Sequence, residues 1–74
     1  MNANEWLAAF AERLDTAPPT QDEFKAILDL AAEAAHASER VAAPAACWVC
    51  ARAGRSLEES VAVARELAAG AGDA

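Results

Sequence analysis

Two cysteines three residues apart are the side chains of this chain best suited to redox or metal chemistry. Cys47 and Cys50 form a Cys-x-x-Cys pair shortly after Pro44. If Pro44 opens a helix, both thiols lie near its N-terminus, which lowers a thiol pKa and favours the reactive thiolate. This pattern indicates a small redox or metal-binding module. The alternative is structural, because free cysteines behave as small hydrophobic side chains that are often buried.

The remaining residues favour the structural alternative for the cysteine pair. A structural zinc ion takes four nitrogen or sulfur ligands, whereas the chain adds only the single histidine, His36, to Cys47 and Cys50. Redox domains that use Cys-x-x-Cys are built on βαβ units, and no stretch of this chain alternates with the period of a strand. We therefore predict two core cysteines, no metal and no cofactor, and keep the redox or metal module as the alternative function.

A second candidate site combines His36 and Arg40, one helical turn apart. Together they could face a carboxylate or phosphate, or contact a protein partner. The structural alternative is that Arg40 donates to free carbonyls at a helix end while His36 complements the negative end of the dipole. Trp6 and Trp48 could stack around a ligand, although aromatic residues on apolar stripes more often form core. No catalytic triad or phosphate-binding loop is present, so we predict that the protein is not an enzyme.

The elements that must position these residues are helices. Apolar side chains recur at three- and four-residue spacing, which predicts helices rather than strands. The predicted helices span about 3–14, 21–39, 44–53 and 57–69. Three of them start with a capping-box pattern, in which glutamate follows a polar residue by three positions. The pairs are Asn2–Glu5, Thr20–Glu23 and Ser56–Glu59.

The predicted fold is therefore all-α, a compact irregular four-helix array. Residues 1–70 form a single domain, and 71–74 form a flexible tail. The third helix is apolar on every side, so we expect it to be the most buried and to lie in the middle. The bulk of the core is predicted to come from the four aromatic residues, Trp6, Phe10, Phe24 and Trp48.

The charge of the chain excludes some classes of partner. Among 74 residues, 12 are acidic and six are basic, which gives a net charge of −6. An acidic protein repels phosphate backbones and anionic membranes, so we predict neither nucleic acid nor membrane as a partner. No apolar run reaches the ~20 residues that span a bilayer. The N-terminus is not a basic signal-peptide start, so we expect a cytoplasmic protein with reduced thiols.

The run from Leu30 to Pro44, with His-x-x-x-Arg followed by Ala-Ala-Pro, resembles a small actinobacterial helical domain of unknown function. Glu5-Trp6-Leu7 and Ala53-Gly54 are also similar to it, and the likeness extends from about Glu5 to Leu67. That family occurs as short stand-alone proteins, as a C-terminal appendage to guanylyltransferases of molybdenum-cofactor synthesis, or encoded near formate dehydrogenase components. Its pattern carries hydroxyl residues near Ala46 and Cys47. The resemblance therefore points to His36, Arg40 and Pro44 rather than to the cysteines.

These observations predict a non-catalytic helical interaction or accessory module, linked to molybdenum-cofactor or formate dehydrogenase pathways. Its expected partner is a larger protein. We also predict self-association as a homodimer, because four amphipathic helices carry more apolar surface than so small a domain can bury. A face of the third helix, or the Val63 side of the fourth, is expected to remain uncovered by its own chain.

Overall fold

Four α-helices follow one another along the chain, and the described residues contain no strand. The computed structural model describes residues 1–72, with side chains up to residue 70. The helices are α1 (Ala3–Arg13), α2 (Gln21–Ala37), α3 (Ala42–Ala53) and α4 (Leu57–Gly72). The predicted all-α four-helix array is confirmed, with one end of each helix displaced by one to three residues.

The first two helices begin at the predicted capping boxes. Asn2 accepts a hydrogen bond from the Glu5 N–H at 2.8 Å, and the Glu5 carboxylate accepts one from the Asn2 N–H at 3.2 Å. Thr20 and Glu23 form the same reciprocal pair at 3.1 and 2.8 Å. Each box satisfies two N–H groups that a helix start leaves without an intrahelical partner. The α1 helix ends one residue before Leu14, which is its C-cap.

The end of α2 lies at Ala37, two residues earlier than predicted, because Ser38 terminates the helix. Ser38 leaves helical geometry with φ −140° and ψ −94°. Its hydroxyl donates to the Ala34 carbonyl at 2.7 Å, and its N–H donates to the same oxygen at 3.2 Å. The serine thus satisfies a carbonyl at the helix end, which is the task predicted for Arg40.

The third helix begins at Ala42 rather than at Pro44. Val41 already has helical backbone angles, φ −65° and ψ −18°, although no side chain caps the helix. The Ala42 N–H donates to the Glu39 carbonyl at 3.0 Å, so the preceding turn runs directly into the helix. Pro44 is the third helical residue. Proline is tolerated there because N–H groups of the first turn have no intrahelical partner.

Gly54 separates α3 from α4. Its φ of +70° is left-handed, a conformation that favours glycine and commonly ends helices. The third capping box is only half formed, because Ser56 Oγ accepts from the Glu59 N–H at 3.1 Å while the Glu59 carboxylate pairs with Arg55 at 2.9 Å.

The fourth helix continues to Gly72, three residues beyond the predicted end at residue 69. Of the predicted flexible tail, 71–74, the first two residues are helical. Residues 73–74 lie outside the described part of the chain.

The central helix is α2, not α3 as predicted. It packs against both α3 and α4, whereas α1 makes at most a marginal contact with any other helix. The short turn after α2 sends α3 back in the opposite direction. Leu57 and Phe24 line one hollow and Arg65 bonds to Glu33, so α4 runs parallel to α2. The fold is therefore α2 flanked by two helices, with α1 at its N-terminal end.

The core is made of small and medium side chains. The buried hydrophobic residues of the described part are Ala11, Leu30, Cys50 and Val61. Leu30, Cys50 and Val61 form one cluster joining α2, α3 and α4. The prediction of an aromatic core was wrong for three of the four aromatic residues, since Trp6, Phe10 and Trp48 are exposed and only Phe24 is half-buried. Alanine explains the difference, because it lets helices approach without filling the space between them with large side chains.

Candidate functional site

The structure places the two predicted thiols on the inner side of α3. Cys50 is buried in the core cluster, and Cys47 is half-buried against it. The Cys50 thiol donates to Ser60 Oγ at 3.0 Å, and the Ser60 hydroxyl in turn donates to the Ser56 carbonyl at 2.9 Å. The Arg55 carbonyl also lies 3.9 Å from the Cys50 sulfur, so Cys50 joins α3 to α4 as a packed side chain with two polar neighbours.

The electrostatics of Cys47 oppose the reactive thiolate that the sequence pattern suggested. Burial raises the pKa of the Cys47 thiol above its ordinary value, and the adjacent Cys50 raises it further. Removing a charge from water penalises the thiolate, and two neighbouring thiolates would repel each other. Cys47 also lies at the sixth position of α3, beyond its first turn, so the helix N-terminus does not offset this penalty.

The described residues bring no third ligand to the thiols. Within residues 1–72, no group of three or more His, Cys, Asp or Glu side chains converges on one point. His36, the third ligand considered in the sequence, lies exposed in the last turn of α2.

His36 and Arg40 are both exposed at the junction of α2 and α3. Arg40 lies in the turn after Ser38, outside either helix, so the two residues do not share a continuous helical face. The helix-end carbonyl of Ala34 is bonded to Ser38 instead of to Arg40. The pair remains accessible to an anion or a partner.

An apolar groove lies between α3 and α4. Leu30 of α2, only 4 % exposed, lies at its floor. Val49 lines the α3 wall and Val63 the α4 wall, and both are more than half exposed. The hollow measures about 420 Å³. Its other lining residues are Ala46, Cys50, Ala53, Arg55, Glu59, Ser60 and Ala64. We call this feature the α3–α4 groove. It confirms that the Val63 side of α4 remains uncovered.

A second exposed apolar surface lies on α1. The rings of Trp6 and Phe10 stack with centroids 4.9 Å apart, although they remain 53 % and 46 % exposed. Leu14, four residues further on, is also exposed. We call these three residues the α1 stripe. A ligand clamp would need Trp48 to face Trp6. Instead, the Trp48 ring faces Arg52, whose guanidinium carbon lies 5.9 Å from the ring centroid.

The other edge of the apolar face of α1, formed by Leu7 and Ala11, is covered by the rest of the same chain. Leu7 lines a hollow with Phe24, Ile27 and Leu57 near the N-terminal ends of α2 and α4. Ala11 is buried. The α1 helix is thus anchored along its Leu7–Ala11 edge and presents the α1 stripe outward. Periodicity predicts one apolar face for α1, whereas the part of that face that the chain covers depends on how α1 docks.

Charge is distributed unevenly around these surfaces. Residues 40–57, which include all of α3, carry three arginines and no carboxylate. Residues 1–23, which include α1, carry five carboxylates and one arginine. Glu39, Glu58 and Glu59 flank this segment, and Arg55 pairs with Glu59 at 2.9 Å, so the charged residues that line the groove neutralise each other.

These features define an all-α helical domain with an uncovered apolar groove. Its chain belongs to the family described as a domain of unknown function, DUF6457, which it matches over residues 1–74. The resemblance to a small helical domain of unknown function is confirmed at that level. No curated protein and no solved structure matches the chain. Within the described residues, no helix combines the length and apolar character needed to cross a membrane.

Proposed function

We propose that this protein is a non-catalytic interaction module that binds an amphipathic helix in the α3–α4 groove. The supporting observation is the exposure of Val49 and Val63 on facing walls of an apolar groove. Water around such side chains is released when an apolar partner covers them. A helix that lays apolar residues into a groove of this kind is a common mode of protein recognition.

The geometry of α2, α3 and α4 suits a helical occupant. Both α3 and α4 pack against α2, and a helix of the partner above the groove would complete a bundle of four helices. The groove walls are built from regular helices and do not depend on loops.

The biological setting we propose comes from the family resemblance. It supports a role as an actinobacterial accessory to molybdenum-cofactor or formate dehydrogenase proteins, and we propose that the module acts in the cytoplasm. His36 and Arg40, accessible on the α2–α3 junction, are the proposed secondary contacts with such a partner.

Affinity purification from the native host tests the proposal with three baits: the wild-type chain, Val63→Glu and Ala62→Glu. Val63→Glu puts a charge into the groove, whereas Ala62 is exposed on the same helix outside it. We expect a molybdenum-cofactor or formate dehydrogenase protein to be captured by the wild type and by Ala62→Glu, and lost with Val63→Glu. Capture that is equal for all three baits would refute the groove, and capture of no protein from these pathways would refute the setting.

A further inference from the structure

We propose that α1 is a detachable strap, which opens as a unit from α2, α3 and α4 while those three helices stay folded. Opening uncovers the apolar hollow that Leu7 shares with Phe24, Ile27 and Leu57, which we call the Leu7 hollow. The α3–α4 groove is lined by no residue of α1. This inference therefore goes beyond the proposed function and is tested separately from it.

Few apolar contacts keep α1 in place. Ala11 is the buried residue of this helix, and its side chain is a single methyl group. Leu7 is half-buried, whereas the α1 stripe is exposed. The Leu7 hollow measures about 660 Å³, so the docked helix does not fill the space beside it. Burial of one alanine and part of one leucine contributes little against the conformational freedom that docking removes.

Hydrogen bonds do not tie α1 to the rest of the described chain. The side-chain hydrogen bonds of the helix are those of its own capping box, between Asn2 and Glu5. In the turn that follows, the Asp15 N–H donates to the Glu12 carbonyl at 3.0 Å and the Thr16 N–H donates to the Ala11 carbonyl at 2.9 Å. All of these bonds lie within residues 2–16, so none of them resists separation of α1 from α2.

The segment between α1 and α2 provides a hinge. Asp15 has a left-handed φ of +59°, which is unfavourable for a residue with a side chain. Pro18 and Pro19 fix their own φ angles and hold the chain extended just before α2. The flexible part of the connection is therefore residues 14–16. Opening lets Asp15 return to an ordinary backbone conformation, which favours the open state.

The other three helices do not need α1 for their core. Leu30, Cys50 and Val61 join α2, α3 and α4 in one cluster, and no residue of α1 belongs to it. Released α1 has 11 residues, fewer than the about 12–15 that an isolated helix needs in water. The strap consequently unwinds when it opens, and the open chain exposes both the Leu7–Ala11 edge and the Leu7 hollow.

Native-state amide hydrogen exchange, measured by NMR over a series of sub-denaturing urea concentrations, tests the proposal. We expect the hydrogen-bonded amides of α1 to exchange at least about tenfold faster than those of Leu30 and Val61, with a smaller dependence on urea. Leu7→Ala should accelerate exchange throughout α1 by one common factor of at least about fivefold, because it removes the main docking contact. Leu14→Ala is the matched control, since it makes the same change at an exposed position outside the hollow. It should change these rates less than about twofold.

The common factor distinguishes opening as a unit from fraying, which would accelerate only the amides at the helix ends. If the amides of α1 exchanged as slowly as those of Leu30 and Val61, with the same urea dependence, α1 would unfold only with the whole molecule and the strap would be refuted. Equal acceleration by Leu7→Ala and Leu14→Ala would refute it as well. Neither outcome bears on the α3–α4 groove, which is tested by capture with the Val63→Glu bait.

Discussion

At the scale of single residues, Cys50 illustrates how little a sequence motif says without its surroundings. The Cys-x-x-Cys spacing is that of redox and metal sites, yet Cys50 packs with Leu30 and Val61 and donates to Ser60. A thiol in this position contributes apolar contact and one weak hydrogen bond.

We expect the native thiols to react slowly with Ellman's reagent at neutral pH. Cys50 is buried, and the raised pKa of the Cys47 thiol leaves little thiolate to attack the reagent. Both should react at the rate of an ordinary free thiol after denaturant is added. The Cys47→Ala variant isolates Cys50, which should then be unreactive in the folded state. Rapid titration of two thiols in the native protein would contradict this assignment.

The raised pKa of Cys47 also predicts a loss of stability at alkaline pH. The unfolded chain ionises this thiol at its ordinary pKa, while the folded chain still holds the proton. Unfolding then releases a proton, so the free energy of unfolding falls as pH rises from the ordinary pKa to the raised one. Urea unfolding across this range should show a decline that is smaller in Cys47→Ala. An equal decline in both proteins would argue against a buried neutral thiol.

Residue types alone could identify the caps but not the exposure of the aromatic rings. Asn2 and Thr20 act through bonds to neighbours three positions away, so local sequence is sufficient to predict them. The exposure of Trp6 and Phe10 depends on where α1 docks, which local spacing does not contain. Ser38 lies on the same helical stripe as Ala34 and Ala35, so local spacing predicts that α2 continues past it.

At the scale of helices, the caps of α1 and α2 should differ in their effect on global stability. Thr20→Ala removes a cap from the central helix and should lower the free energy of unfolding by about 1 kcal/mol. Asn2→Ala removes an equivalent bond from α1, whose contacts with the other helices are marginal. The Asn2→Ala substitution should therefore increase amide hydrogen exchange within α1 with little change in the free energy of global unfolding. If urea unfolding gave equal losses of unfolding free energy for the two variants, α1 would unfold together with the other helices.

The glycines of α3 and α4 provide a second comparison. Gly54→Ala places a side chain at φ +70°, which should cost about 1 kcal/mol although no atom lies within 4 Å of the new Cβ. Gly70→Ala also meets no atom, but it lies within α4 and has no left-handed backbone. Alanine favours helix over glycine, so this change should stabilise by about 0.5 kcal/mol, less than in a helix centre. Thermal unfolding of both variants should give shifts of opposite sign.

Helix positions followed from the sequence more closely than helix packing did. Apolar spacing located all four helices because each amphipathic repeat is local. The central position of α2 was not predicted, since the many alanines of α3 look equally apolar on every side. In α3, Cys50 belongs to the core cluster and Ala46 and Cys47 pack against it, whereas Val49 lines the groove. Uniform apolar composition therefore concealed which face of α3 is buried.

At the scale of the whole molecule, the chain buries few side chains for its length. Leu30, Cys50 and Val61 form the shared core, and no large side chain of the described residues is fully buried. A 74-residue chain has a marginal core in any case, since it buries only about 60 % of its unfolded surface. The ion pair between Arg65 and Glu33, at 3.2 Å, is partly exposed to solvent and therefore adds little to the free energy of unfolding. Stability then depends on whether the apolar groove is covered.

The thermal midpoint should consequently rise with protein concentration. If a second copy covers the α3–α4 groove, mass action stabilises the folded state increasingly as the concentration exceeds the dissociation constant. The wild type and Ala62→Glu should show this rise in calorimetry from low micromolar to near-millimolar concentration. Val63→Glu should unfold at one concentration-independent midpoint, near that of the dilute wild type, because Val63 is already exposed in the single chain. A wild-type midpoint that does not change with concentration would mean that the marginal core is sufficient alone, and that the groove does not bind a second copy.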